Sequence, residues 1–389
     1  VDRLLFRHKR EEPQTVPFWQ VFVFRALMFF VYFFGGIAKL NCDWLKGEPM
    51  RTWLAGRAEI ISRPELLNNE FMVYLFSLGG TYFDLFIGWM LLWPPTRLLA
   101  FLLLIPFHLF NSWFFEIGIF PWLGIAATTL FVEPGTPRRW WNEITLRKSA
   151  NLAQITNVPP SARPTSARTK LVTALVFAFL LFHVLMPMRH FLYPGNVNWT
   201  EEGQFFSWRM KLRDKKGTVA FIVKDQKSGD ILDFDPKAEL TEDQFFKMPV
   251  VPQMIVQYAH HLQDQARSVG YKDVTVRARA VVSMNGRAPQ DLIDPSVDLT
   301  KVSNVLFEHG TYIIPLETPL VNRHARMAYY LLGAAAGALS LAGVLLCGRS
   351  RERQNRTKSK PRLVDGILPF SIAIAVVMAV QALLLLMCG

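Results

Sequence analysis

The sequence predicts a polytopic α-helical membrane protein with a small α+β extramembrane domain, and three observations carry that prediction. Of the 389 residues, 51% are hydrophobic, and they are gathered into blocks instead of being spread at an amphipathic period, which is the signature of membrane spans. Basic residues collect in alternate loops, the bias that orients such spans. One long stretch between apolar blocks alternates apolar and polar residues, as half-buried strands do.

Seven segments approach the length a helix needs to cross about 30 Å of hydrocarbon: 18–40, 71–93, 98–115, 117–132, 171–190, 327–347 and 366–388. The fourth is short, and only Glu116 and Gly118 mark the break before it. If all seven cross, residues 1–17, 94–97, 133–170 and 348–365 share one side and hold 4, 1, 7 and 7 Lys and Arg. That side is cytoplasmic by the positive-inside rule. The opposite 41–70 loop balances four basic residues against five acidic ones, and the long 191–326 segment carries no weight in the rule. The net charge of +12 therefore reflects topology. Runs such as Arg349-Ser350-Arg351-Glu352-Arg353 face anionic membrane lipid, and no nucleic-acid partner is expected.

Cysteine adds little at this level. Cys42 ends the first span, and Cys347 and Cys388 end the last two on opposite sides, so no disulfide framework is expected, and no spacing suggests zinc. The chain opens on Val1 with no signal-peptide pattern before Phe18, as a fragment or a processed product would.

Between the fifth and sixth spans the texture changes. Residues 218–224 and 231–234 flank the polar stretch Asp225 to Asp230 and read as two strands joined by a turn. A helix is expected from Pro252 through Ile255, Ala259, Leu262 and Ala266, with His260 and His261 on its solvated side. Asp273 to Met284 alternates until the Asn285-Gly286 turn. The expected organisation is a membrane core at 1–190, an extracytoplasmic α+β domain at 191–326, and two further spans at 327–389 joined by a basic cytoplasmic loop.

Polar residues inside apolar segments are expensive, so they nominate the site. Lys39 closes the first span. Desolvation there disfavours the ammonium, so its amine can serve as a base, although a lysine at that level can equally snorkel its charge to the interface. His108, Asn111 and Ser112 share one face of the third span by i, i+3 and i+4 spacing, toward the same non-cytoplasmic end as Lys39. His183 and His190 lie in and just after the fifth span, with His190 nearer the level of Lys39. Asp84, mid-span, must pair with a cation or stay protonated, and Arg25 reads as a snorkelling anchor.

These residues carry a resemblance. Tyr32-Phe33-Phe34-Gly35-Gly36-Ile37-Ala38-Lys39-Leu40-Asn41-Cys42-Asp43-Trp44 is similar to the signature of vitamin K-dependent gamma-glutamyl carboxylases and their bacterial HTTM relatives. So are Phe107-His108-Leu109-Phe110-Asn111-Ser112 with Ile117-Gly118-Ile119-Phe120, and His190-Phe191-Leu192 through Asn198-Trp199-Thr200 to Phe206-Ser207-Trp208. Weaker likenesses are Gln257-Tyr258-Ala259 and Val282 to Arg287 with Ile293-Asp294-Pro295. Together they keep family order from about residue 13 to 320.

The resemblance implies that a lysine base deprotonates reduced vitamin K (the hydroquinone), which reacts with O2. The strong base so formed removes a γ-proton from a peptide glutamate, CO2 adds to the carbanion, and the quinone leaves as its epoxide. It implies Lys39, His108 and His190 as catalytic residues, and Asn111, Ser112, Trp44, Trp199 and Trp208 as substrate-binding ones. Reduced vitamin K, O2 and CO2 are the implied cosubstrates, with no metal or flavin required. Membrane lipid, an isoprenoid quinol and glutamate-containing secreted or membrane proteins are the implied partners, met on the non-cytoplasmic side. Relatives carry further membrane helices, with another histidine motif, before the stretch that resembles Val1 to Trp19. Two other readings stay open: a lipid-quinol epoxidase without protein carboxylation, and a non-enzymatic membrane protein that binds or transports lipid or peptide.

Overall fold

The computed structural model describes residues 18–61, 64–115, 117–133, 135–137, 141, 145, 167–303, 308–320, 331, 333–340, 342 and 364–388. In chain order the membrane part supplies α1 (Phe18–Ala38), the short α2 (Cys42–Leu45), α3 (Met50–Ala58), α4 (Glu70–Leu92), α5 (Arg97–Phe115), α6 (Phe120–Thr128) and α7 (Ala167–Leu185). A 3-10 segment, Met186–Leu192, extends α7 and leads into α8 (Val197–Thr200). Next come β1 (Lys215–Asp225), β2 (Ile231–Leu232), α9 (Pro236–Glu239), α10 (Glu242–Lys247), α11 (Pro252–Ser268), β3 (Val274–Met284) and β4 (Gln290–Asp291). The last helix is α12 (Val364–Met387).

Among the described residues, four helices are long and apolar enough to cross a membrane: Phe18–Ala38, Glu70–Leu92, Pro94–Phe115 and Thr169–Leu192. Segment 117–132 forms the shorter apolar helix Phe120–Phe131, and segment 366–388 forms α12, apolar along Ser371–Met387. Most of the expected 327–347 span, and the basic loops after Arg138 and Arg349, lie outside the described residues.

The chain divides into two compact units. The first joins Val1–Phe30 to Trp89–His183. Here α5 and α6 pack together, and Gly124 makes that possible, because a Cβ there would stand 2.5 Å from the His108 ring. Thr128 Oγ1 donates to the Gly124 carbonyl at 2.6 Å. Pro106, inside α5, removes one helical donor. Arg25 does not behave as the expected snorkelling anchor. Its Nε donates to the Leu130 carbonyl at 2.8 Å and its guanidinium lies 5.6 Å from the Phe131 ring centre, so the charge is held within the protein.

The second unit joins Val31–Gly88 to Val184–Gly389. Its sheet is antiparallel in the order β2-β1-β3-β4. β1 and β3 pair along their whole length, from Lys215 opposite Met284 to Asp225 opposite Val274. Alternation along β3 buries Val274, Val276, Ala278, Ala280, Val282 and Met284 against α11, whose Ile255, Ala259, Leu262 and Ala266 recur at helical spacing. The expected strands, helix and Asn285-Gly286 turn are all present; Asn285 and Gly286 adopt φ of 53° and 76°, the left-handed pair a tight hairpin turn needs. His261 is exposed and bonds Glu239, as a solvated residue can, whereas His260 is half-buried and bonds the Leu299 carbonyl at 3.1 Å.

One expectation about cysteine is overturned. Cys42 and Cys388 form a disulfide across 346 residues, with their Cα atoms 5.7 Å apart. No local spacing announces it; the folded chain brings the end of α12 to the turn after α1. Lys46 Nζ donates to the Cys388 carbonyl at 2.7 Å, and Tyr82 on α4 bonds Gln381 on α12.

Candidate functional site

Lys39 follows the last residue of α1, where its backbone N–H still bonds the Gly36 carbonyl at 3.1 Å. Two glycines bring this end of α1 against α4. A Cβ on Gly36 would lie 2.7 Å from the Leu85 side chain and 2.8 Å from its backbone nitrogen, and one on Gly35 would lie 3.3 Å from Asp84 Oδ2. That close approach lets Lys39 Nζ form an ion pair with Asp84 Oδ2, with side chains only 13% and 12% exposed. The Gly35 carbonyl accepts a second bond from Nζ at 3.3 Å, and the Trp44 ring centre lies 5.5 Å away. The amine is therefore ringed by a carboxylate, a carbonyl and an aromatic face, the three things that hold an ammonium out of water.

The turn after Lys39 is built to hold Trp44 still. Asn41 caps α2: its Oδ1 accepts from the Trp44 N–H at 3.1 Å, and its Nδ2 donates back to the Ala38 carbonyl at 2.8 Å. The indole N–H of Trp44 donates to the Ser77 carbonyl at 2.8 Å and to Thr81 Oγ1 at 3.0 Å, which fixes the ring against α4. Asp43 is buried and receives the Arg287 guanidinium from the turn between β3 and β4.

His190 belongs to the same unit. Its Nδ1 donates to the Pro187 carbonyl at 2.8 Å, which makes Nε2 the acceptor whenever the ring is neutral. Gly203, at φ 70°, packs directly on its backbone: a Cβ there would sit 2.6 Å from His190 Cα. The segment beginning at Gly203 has Phe206, Trp208 and Lys211 at positive φ, a cluster of left-handed non-glycine residues of the kind found where backbone strain is held by its surroundings. Trp208 is half-buried, and its carbonyl lies 3.8 Å from where a Gly35 Cβ would be. Trp199, expected among the substrate contacts, is fully buried in the sheet-domain core with its indole N–H on the Ile314 carbonyl at 2.7 Å, so its side chain supports the domain.

The other unit carries His108, Asn111 and Ser112 on α5. His108 is buried against Gly124 and Phe120, while Asn111 and Ser112, three and four residues further along, are half-buried. The candidate residues thus fall into two groups, one in the unit of Lys39 with Trp44, His190 and Trp208, the other along α5. The sequence marks both Asp84 and Lys39 by their depth in apolar segments; that the two pair it does not mark. Asp43 and Arg287 lie in the Tyr32–Trp44 and Val282–Arg287 stretches that carry the sequence resemblance, but nothing there pairs one with the other.

A family model of the HTTM domain matches residues 1–135, and one described as the vitamin K-dependent gamma-carboxylase lumenal domain matches residues 168–319. No solved structure matches the chain. The first match holds Lys39, Asp84, His108 and Asn111, and the second holds His190 and the whole four-stranded sheet. The chain is a carboxylase-family membrane protein of the HTTM class.

Proposed function

We propose that this protein oxidises reduced vitamin K, or a similar isoprenoid quinol, with O2 and couples that oxidation to CO2 addition at the γ-carbon of a peptide glutamate. The observation that supports it best is the Lys39–Asp84 pair at the end of α1, in the part of the chain that matches the HTTM domain. A base must be neutral to accept a proton. Asp84 Oδ2, already sharing a hydrogen bond with Lys39 Nζ, is the group to which the amine hands its own proton before a quinol hydroxyl arrives. Lys39 then takes the hydroxyl proton. One oxygen atom of O2 ends in the quinone epoxide, and the other leaves as water with the γ-proton of the glutamate, whose carbanion takes up CO2. The apolar surroundings keep water from quenching that carbanion.

His108 and Asn111 are assigned to orienting the reacting carboxyl and quinone, by hydrogen bonds that strengthen as charge develops. His190 offers its Nε2 as a proton acceptor at the end of the α7 segment. In this reading the site faces the non-cytoplasmic side. The Cys42–Cys388 disulfide beside Lys39 supports this, since such bonds persist in oxidising compartments, and so does the lumenal domain that residues 168–319 resemble.

The test is incubation of the full-length protein with reduced vitamin K, O2, labelled CO2 and a glutamyl peptide, with epoxide and carboxylated peptide measured separately. Both products are expected. His108→Ala should impair both steps, and Asn111→Ala should lower carboxylation by about tenfold relative to epoxidation, the effect of one hydrogen bond of about 1.4 kcal/mol in the transition state. Epoxide without carboxylated peptide from any glutamyl substrate would replace this reading by a quinol oxygenase, and neither product would refute it.

A further inference from the structure

The sheet domain grips the turn that carries Trp44, and the grip is of an unusual quality. Arg287 Nη1 and Nη2 donate to the two oxygens of Asp43 at 2.7 and 2.6 Å, a fork-on-fork pair whose side chains are only 8% and 5% exposed. Asn285 Nδ2 adds a third bond to Asp43 Oδ2 at 2.6 Å. Asn285 is itself pinned, its N–H donating to the Asp214 carbonyl and its Oδ1 accepting the Asp214 N–H, both at 2.8 Å at the foot of β1. Arg287 Nε is held by the Thr318 carbonyl at 3.0 Å. Bidentate, fully bonded guanidinium–carboxylate pairs fix orientation as well as distance. Asp43 lies one residue from Trp44, whose ring stands 5.5 Å from the Lys39 amine.

We infer that Arg287 and Asn285 are positioning residues for Lys39. The sheet domain sets, through Asp43, the turn that holds the Trp44 ring beside the amine, and so holds the amine on Asp84 in the geometry in which it accepts a proton. This rests on the reading of Lys39 as the quinol base. A buried ion pair could serve only to fasten the domain to the membrane part, and the two roles differ in what an apolar replacement does. Such pairs can be exchanged for well-packed apolar residues with little loss of stability. A fastening role then survives the exchange; a positioning role does not.

The experiment compares wild type, Arg287→Lys and the double variant Asp43→Leu/Arg287→Met in the full chain. Three readouts are used: thermal unfolding, quinol epoxidation, and the rate at which acetic anhydride modifies Lys39, followed by peptide mass spectrometry. The double variant should melt near wild type, show kcat lower by about tenfold or more with KM for the quinol within about twofold, as loss of alignment without loss of binding predicts, and acetylate Lys39 severalfold faster. Arg287→Lys, which keeps the charge but not the fork, should move kcat and labelling in the same directions and remain informative if the double variant does not fold. Wild-type kcat in the folded double variant, a change confined to KM, or unaltered Lys39 labelling in either variant overturns the inference. If wild type forms no epoxide, the reading of Lys39 as quinol base has failed, and the labelling rate alone still decides whether the sheet domain positions the amine.

Discussion

Replacing Lys39 by Ala leaves the Asp84 carboxylate inside α4 with its counter-charge gone, so the variant should lose stability as well as activity. The two side chains are 13% and 12% exposed and in direct contact. Removing one partner of so buried a pair costs about 3–5 kcal/mol, because the remaining charge has neither water nor an ion to face. The same arithmetic says how to separate base from brace. Lys39→Ala/Asp84→Asn removes both charges, and most of the lost stability should return, while epoxidation stays absent because no amine is left. A double-mutant cycle on thermal unfolding in detergent gives the coupling between the sites, expected to be at least about 2 kcal/mol. Lys39→Arg should keep the pair but not the activity, since a guanidinium stays protonated. A small external amine should partly restore turnover in Lys39→Ala, where Asp84 is still present to take its proton, by occupying the vacated space. Epoxide formation by the double variant without added amine would refute Lys39 as the base, and a Lys39→Ala protein that melts like wild type would refute the coupled pair.

Three further outcomes follow from the geometry. Gly36→Ala should destabilise the protein and depress activity more than Gly56→Ala, because its Cβ would meet Leu85 at 2.7 Å whereas a Cβ at Gly56 meets nothing within 4 Å; equal melting of the two would refute the seam between α1 and α4. Lys215, buried against Trp199 and Glu201, has its ammonium pushed down to about 8 by burial, which outweighs the opposing pull of Glu201. Unfolded lysine titrates near about 10.4, so between these pH values the unfolded chain holds a proton the folded one lacks and stability rises with pH through that window; thermal unfolding of Lys215→Met should show a flatter slope there, and an unchanged slope would sink the assignment. Tryptic cleavage in the basic 348–362 stretch should leave the C-terminal fragment attached to the rest until a reductant is added, and a fragment released without reductant would mean that Cys42 and Cys388 are not joined.

Local periodicity made much of this protein legible in its sequence. Apolar blocks of span length announced α1, α4, α5 and α7, because a helix in hydrocarbon must satisfy its own backbone and show lipid an unbroken apolar surface. Alternation announced β1 and β3, and Asn285-Gly286 announced the turn after β3, since each is written within a few neighbouring residues. Lys39, Asp84 and His108 stood out for the same reason, as polar side chains whose burial carries a penalty wherever they end up. What they touch was decided only by the tertiary structure. Lys39 and Asp84 are 45 residues apart, Asp43 and Arg287 are 244 apart, and Cys42 and Cys388 are 346 apart. No period in a sequence encodes pairings at such separations; they exist because Gly35 and Gly36 let α1 touch α4, and because the sheet domain closes its β3–β4 turn onto the residue next to Trp44. Depth in the membrane told which groups needed partners, and packing chose the partners.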